Sequence, residues 1–180
     1  PEDSPRGARW EASARFVPAR ELAGDLFDFY DLDEQRLGGC VGDVAGKGVP
    51  AALFMAVTRT MVKAHASAGA TSDTILDLVN ADLAKDNDAC MFVTMFLGLL
   101  DLRTGELAFT NAGHCMPLLR RGDRVFPLHA DRAHIPPLGV VPELEAGEAR
   151  VQLHSGDLLI LITDGIIEAR DPRGHEYGMA

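Results

Sequence analysis

The strongest constraint in this 180-residue chain is one change of hydrophobic period, bounded on both sides by strand-like runs. Val49, Ala52, Leu53, Ala56, Val57, Thr60, Met61 and Ala64 recur at i, i+3, i+4 and i+7, which predicts a helix over 48–66 with that stripe buried. Pro50 falls in its first turn, where a missing N–H costs little. Gly69 ends the region, and Thr71 or Ser72 then caps a second helix with Ile75, Leu76, Val79 and Leu83 facing inward. On either side the pattern is that of strands. Residues 10–17 alternate loosely and read as a strand ending at Pro18, followed by strands over 26–32 and 36–44. After the helices come a nearly continuous apolar run over 91–100, a turn at 103–105, and strands near 106–110, 124–128 and 148–154. The last is a short, fully apolar strand over 158–163. Strands, then two adjacent helices, then strands leave no βαβ alternation, so the expected class is α+β, layered and antiparallel.

Composition narrows the function. There are 17 Lys and Arg against 27 Asp and Glu, a net charge of −10, and a phosphate backbone needs a basic face, so no nucleic-acid partner is expected. No apolar run approaches the ~20 residues of a membrane-spanning helix. Cys40, Cys90 and Cys115 are odd in number, lack a Cys-x-x-Cys pair and have apolar flanks, which suits buried, reduced thiols in a cytoplasmic protein. Residues 1–8 read as a linker and 9–180 as one domain.

Most of the acids mark turns or solvated loops, Glu143, Glu145 and Glu148 among the latter. Three differ. Asp25 opens an apolar strand after Gly24, Asp43 closes another in Gly42-Asp43-Val44-Ala45-Gly46-Lys47-Gly48, and Asp164 closes a third before Gly165. A carboxylate at the end of a buried strand is costly unless something positive meets it. Hard oxygen ligands of this kind suit Mg²⁺ or Mn²⁺. The glycine-rich stretch is no P-loop: three residues, not four, precede Gly46-Lys47, and Gly48 stands where a hydroxyl is required.

Several motifs resemble those of the SpoIIE-type branch of the metal-dependent Ser/Thr protein phosphatases, the PPM or protein phosphatase 2C-like family. They are Pro18-Ala19-Arg20-Glu21-Leu22-Ala23-Gly24-Asp25-Leu26-Phe27-Asp28, the Asp43 stretch on to Ala52, Asn111-Ala112-Gly113-His114, Pro137-Leu138-Gly139-Val140, and Leu161-Ile162-Thr163-Asp164-Gly165-Ile166-Ile167-Glu168-Ala169. The resemblance implies an α-β-β-α sandwich of two antiparallel sheets flanked by helix pairs, with two Mn²⁺ or Mg²⁺ ions. It implies hydrolysis of phosphoserine or phosphothreonine on a protein, in this branch a phosphorylated anti-anti-sigma (STAS-like) protein of a bacterial partner-switching pathway. The linker at 1–8 suggests an upstream sensor or receiver domain in the parent chain, and a homodimer is a further expectation.

Carried over by motif, Asp43 resembles the carboxylate that bridges both metals, and the Val44 carbonyl the backbone ligand beside it. Asp25 resembles a ligand of one metal and Asp164 of the other. Arg20 is the expected phosphate clamp, with Lys47 as a second cation. His114 is either a proton donor to the leaving group or a structural histidine. Asp28 ranks lower, because an odd offset from Asp25 sends it to the opposite face of a strand. The family carries one further aspartate motif after the point where this chain ends, so a C-terminally truncated domain is expected. A catalytically weak or inactive pseudophosphatase, docking a partner without turnover, is the alternative.

Overall fold

The structure, a computed structural model, describes residues 7, 10–17, 24–85, 87–129 and 131–178. Of the expected linker 1–8 only Gly7 is among them, and Arg20 lies outside them.

Two antiparallel strands come first, β1 (Asp25–Asp33) and β2 (Arg36–Val44), joined by a tight turn at Glu34-Gln35. Residues 10–17 do not form the expected strand: Glu11 alone sits in a bridge, and Phe16 instead rests on Phe27, ring centroids 6.4 Å apart. Two helices follow, α1 (Val49–Ser67) and α2 (Ser72–Ala84). Then come β3 (Val93–Asp101), β4 (Glu106–Ala112), β5 (Leu118–Arg121), β6 (Arg124–Pro127), β7 (His134–Ile135), β8 (Ala149–Gln152) and β9 (Leu158–Ile160). A four-residue helix, α3 (Asp164–Ile167), is the last element.

The strands form two sheets. The larger runs β1-β2-β3-β4-β7 with β8 also on β4, and the smaller runs β6-β5-β9. All pairings are antiparallel except the short β4–β7 contact. β3 explains the layering, because successive side chains leave a strand on opposite faces. Met95 and Leu97 pack with Val62, Ile75, Leu76 and Val79 of the helices, whereas Phe96 packs with Leu107, Phe109, Leu119 and Leu128 between the sheets. Burying each such side chain contributes about 1.5–3 kcal/mol relative to exposure. The continuous apolar run over 91–100 thus reflects a strand covered on both faces. The helix layer among the described residues is the pair α1 and α2.

Helix α1 corrects the expected stripe. Ala51, Thr58, Val62 and Ala66 are the buried residues, and Leu53 is 63 % exposed, with Val49 and Val57 also exposed. Helix α1 is apolar over most of its circumference, so periodicity alone does not select its inner face. Thr58 passes as an inward residue because its hydroxyl donates to the Phe54 carbonyl at 2.8 Å. The inward residues of α2 include the four expected, together with Ser72 and Asn80. Glu148 is no solvated loop residue: its Oε2 accepts from the Ser72 backbone N–H at 3.1 Å and the Ser72 hydroxyl at 3.0 Å, a carboxylate at the N-terminus of α2.

Candidate metal centre

The register of β1 and β2 places Asp25 directly opposite Asp43. Residues paired across antiparallel strands share a face, so the two carboxylates stand side by side on the side turned towards the smaller sheet. Both are half-buried. Gly24 lets the chain close in here. A Cβ at that position would lie 2.7 Å from the Val44 carbonyl oxygen and 3.2 Å from Asp43 Oδ1, so any side chain would fill the space beside both oxygens.

The third acid arrives from the other sheet. β9 ends at Ile160, earlier than expected, and Leu158 is 47 % exposed, so the strand is not the fully buried one the sequence suggests. Thr163 caps α3, and Asp164 is exposed in its first turn instead of closing a buried strand. One bond ties this arm to the pair: the Thr163 hydroxyl donates to Asp25 Oδ2 at 3.2 Å.

The electrostatics record the convergence. The Asp43 carboxyl is pushed up from 3.8 to about 7, by burial first, then by the charge of Asp25 and a proton shared with it, then by Asp164 and Glu168. Glu168 received no role from the sequence, although its i+4 spacing from Asp164 places both on one face of a helical turn. The half-buried Cys115 thiol is raised by burial and then by Asp164, Asp43 and Asp25, so it borders the same acids. Cys40 is buried and Cys90 exposed, which corrects the expectation of three buried thiols; all three are free.

The remaining expected residues divide. Lys47 is exposed between Asp43 and α1 and makes no hydrogen bond or ion pair with the described residues. Asp28 is on the opposite face, as its odd offset implies. It is 3 % exposed and its Oδ2 accepts from Arg59 Nε of α1 at 2.8 Å, with Oδ1 bonded to the Phe29 N–H. Arg59 was not foreseen; an acid alone on the helix side of β1, opposite a helix that carries a cation, was the signal. His114 is buried, and burial lowers its proton affinity, which favours the neutral ring. Gly113 before it has φ +64°, and a Cβ there would lie 2.7 Å from Pro137 Cγ; two of the motifs thus pack on one another.

The donor set fits a hard divalent cation. The Asp43 carboxylate and the Val44 carbonyl both border the space a side chain at Gly24 would occupy, Asp25 stands beside Asp43, and the repulsion between the two acids is relieved by positive charge. Among the described residues, no three His, Cys, Asp or Glu side chains are already closed up around one ion position. The Asp25–Asp43 pair is therefore set by the sheet, and Asp164 is offered to it from across the sandwich.

Comparison with known proteins identifies the family and the fold. The family profile of Stage II sporulation protein E (SpoIIE) matches residues 33–180. The phosphoserine phosphatase RsbU of Bacillus subtilis (strain 168) is 26% identical over 172 residues, covering 94% of this chain and 50% of RsbU. Among solved structures, the RsbU and RsbW domains of Rv1364c from Mycobacterium tuberculosis superpose with a TM-score of 0.73 at 32% identity, covering 86% of this chain and 42% of that one. The PP2C phosphatase domain of SpoIIE from Bacillus subtilis, with a fragment of its regulatory domain, gives a TM-score of 0.70 at 24% identity, over 82% of this chain and 43% of that one. The chain spans half or less of the length of these proteins. With its two packed sheets, its helix pair on one side and the profile match over most of its length, the chain belongs to the SpoIIE family and has the PP2C fold.

Proposed function

We propose that this chain is the phosphatase domain, over residues 9–180, of a protein that hydrolyses phosphoserine or phosphothreonine on a partner protein. The observation that carries the reading is the Asp25–Asp43 pair, held opposite each other by strand register and joined by Thr163 to the arm that bears Asp164. PP2C-like phosphatases are metal-dependent. Asp25, Asp43, the Val44 carbonyl and Asp164 would hold two Mn²⁺ or Mg²⁺ ions in this reading. When bound, such ions supply positive charge opposite the phosphoryl oxygens and acidify water for attack on phosphorus.

The chain's own residues do the rest. Asp43, desolvated and crowded by Asp25, holds a proton near neutral pH when no cation is present and gives it up to one. The sheet fixes Asp25 and Asp43 before any ligand arrives, so little reorganisation accompanies binding. Lys47, exposed four residues after Asp43 and without a hydrogen bond or ion pair to the described residues, would meet an incoming phosphate as a point charge. Arg20 completes the proposed substrate contacts. The proposed substrate is the one the family resemblance implies, a phosphorylated anti-anti-sigma (STAS-like) protein. An upstream sensor or receiver domain and a homodimeric arrangement complete the proposal.

The second reading, a docking module without turnover, is favoured by one observation: among the described residues no three ligating side chains are closed up in advance. One assay separates the two. Release of phosphate from a phosphorylated STAS protein should require Mn²⁺, stop with EDTA, and fall on the order of 10³-fold in Asp43→Asn. Hydrolysis that survives both EDTA and that substitution overturns the mechanism. Calorimetry showing metal-independent binding of the phosphoprotein, with no turnover, establishes the docking module instead.

A further inference from the structure

His114 lies between the two arms of the acid centre and has one end made and one end loose. It is 4 % exposed. Its backbone is gripped by buried Asn111, whose Oδ1 accepts the His114 N–H at 2.8 Å and whose Nδ2 donates to the His114 carbonyl at 3.2 Å. Its Nδ1 is 2.9 Å from the Thr94 hydroxyl. Thr94 is the register partner of Asp43 on β3, and the same hydroxyl lies 3.4 Å from the Asp43 carbonyl.

That hydroxyl has one proton to give, and both the Asp43 carbonyl at 3.4 Å and Nδ1 at 2.9 Å are within its reach; Nδ1 is the nearer, and the proton is assigned to it. A neutral imidazole accepting at Nδ1 carries its own proton on Nε2. Nε2 is buried and has no partner at hydrogen-bonding geometry. The backbone of Ile162, two residues before Asp164, nevertheless acts on the ring in the sense that favours its N–H. Buried donors are rarely left unmade, and those that are call for a state in which they are made.

We propose that His114 is a positioning residue spanning the site, anchored through Thr94 to the Asp43 arm and closing its Nε2–H on the Ile162 carbonyl when a divalent cation draws the Asp164 arm inward. This rests on the reading of the acids as a cation centre. It gives the single Thr163–Asp25 bond a second, inner link between the sheets.

The test uses Mg²⁺, which is diamagnetic, and reads binding and the ring, not turnover. In ¹⁵N-histidine NMR spectra of the metal-free protein, His114 should be the neutral Nε2–H tautomer. Mg²⁺ should shift that N–H downfield and slow its exchange with water. By calorimetry, His114→Phe should weaken Mg²⁺ binding about 10–100-fold, while His114→Gln, which keeps an N–H donor at similar reach, should stay within about threefold of the parent. Should His114→Phe fail to fold, Thr94→Val decides, because it removes only the hydroxyl anchor and should weaken Mg²⁺ in the same sense. An Nδ1–H tautomer, a ring resonance unmoved while Mg²⁺ binds, or parental Mg²⁺ affinity in both His114→Phe and Thr94→Val overturns the proposal and leaves the cation centre standing. A parent protein that binds no Mg²⁺ overturns the cation centre and this inference together.

Discussion

The arm that carries Asp25 and Asp43 and the arm that carries Asp164 are built to different standards. The first is two nine-residue strands whose register is unbroken from the Asp25–Asp43 end as far as Asp31–Leu37, joined on the other side of β2 to β3, with Leu26, Tyr30, Cys40 and Val44 sealed beneath α1 and α2. The second is a three-residue strand on the edge of the small sheet, followed by a single helical turn in which no residue is buried. Ile166 in that turn is 51 % exposed. A pair of acids repels itself, and only a stiff scaffold holds such a pair together without a counter-ion. The third acid is on a segment with few partners, where a change of position costs little. The preset pair and the adjustable third ligand are thus a division of labour that follows from burial.

The sharpest break in that comparison is in stability. Phe96, fully buried between the sheets and stacked on Phe109 at 5.6 Å, is expected to cost about 3–5 kcal/mol as Phe96→Ala. Ile166→Ala should stay within about 0.5 kcal/mol. Urea unfolding measures both, and equal costs would mean that the Asp164 arm is as firmly built as the rest.

Next in size is a pH effect confined to the first arm. In EDTA, the folded chain holds a proton on Asp43 up to about 7, whereas the ordinary value is 3.8. Between those values the native state binds more protons than the unfolded one, so stability falls as pH rises from about 4 to about 7 and is level above that. Melting temperatures of the metal-free protein should follow this slope. Asp43→Asn should flatten it, and so should Mg²⁺. A slope that persists in Asp43→Asn would place the repulsion elsewhere in the molecule.

The same contrast governs what could be read from the sequence. The first arm was legible because its signals are local: apolar runs of strand length, Gly24 and Gly42 beside the acids, and Pro50 at a helix start. The strand over 36–44 and the inward residues of α2 fell where the pattern put them. Asp28 was correctly sent to the far face by the two-residue period alone. Its partner Arg59 was not legible, because 31 residues of chain separate them and only the fold brings them to 2.8 Å. The second arm was misread for the opposite reason. Residues 158–163 are apolar enough for a buried strand, but composition does not reveal that the sheet edge leaves them partly exposed. Residues 10–17 failed likewise: among the described residues only Glu11 reaches a bridge, and alternation alone makes no ladder.

Helix α1 supplies the smallest and most specific expectation. The misassigned stripe showed that its apolar residues form two faces, of which one, Ala51, Thr58, Val62 and Ala66, packs beneath the strands that carry Asp25 and Asp43. The other, with Leu53 and Val57, faces outward. If the first arm is held only through the inner face, a polar change outside should leave it untouched. Leu53→Ser is therefore expected to change unfolding free energy by no more than about 0.5 kcal/mol, because the side chain is already mostly in water and serine costs a helix little. Mg²⁺ affinity by calorimetry should be that of the parent, since no contact to β1 or β2 is altered. A loss of stability well beyond that, or a change in Mg²⁺ affinity, would show that the outer face of α1 takes part in fixing the acid pair. The preset arm would then depend on a surface that packing in this chain does not cover.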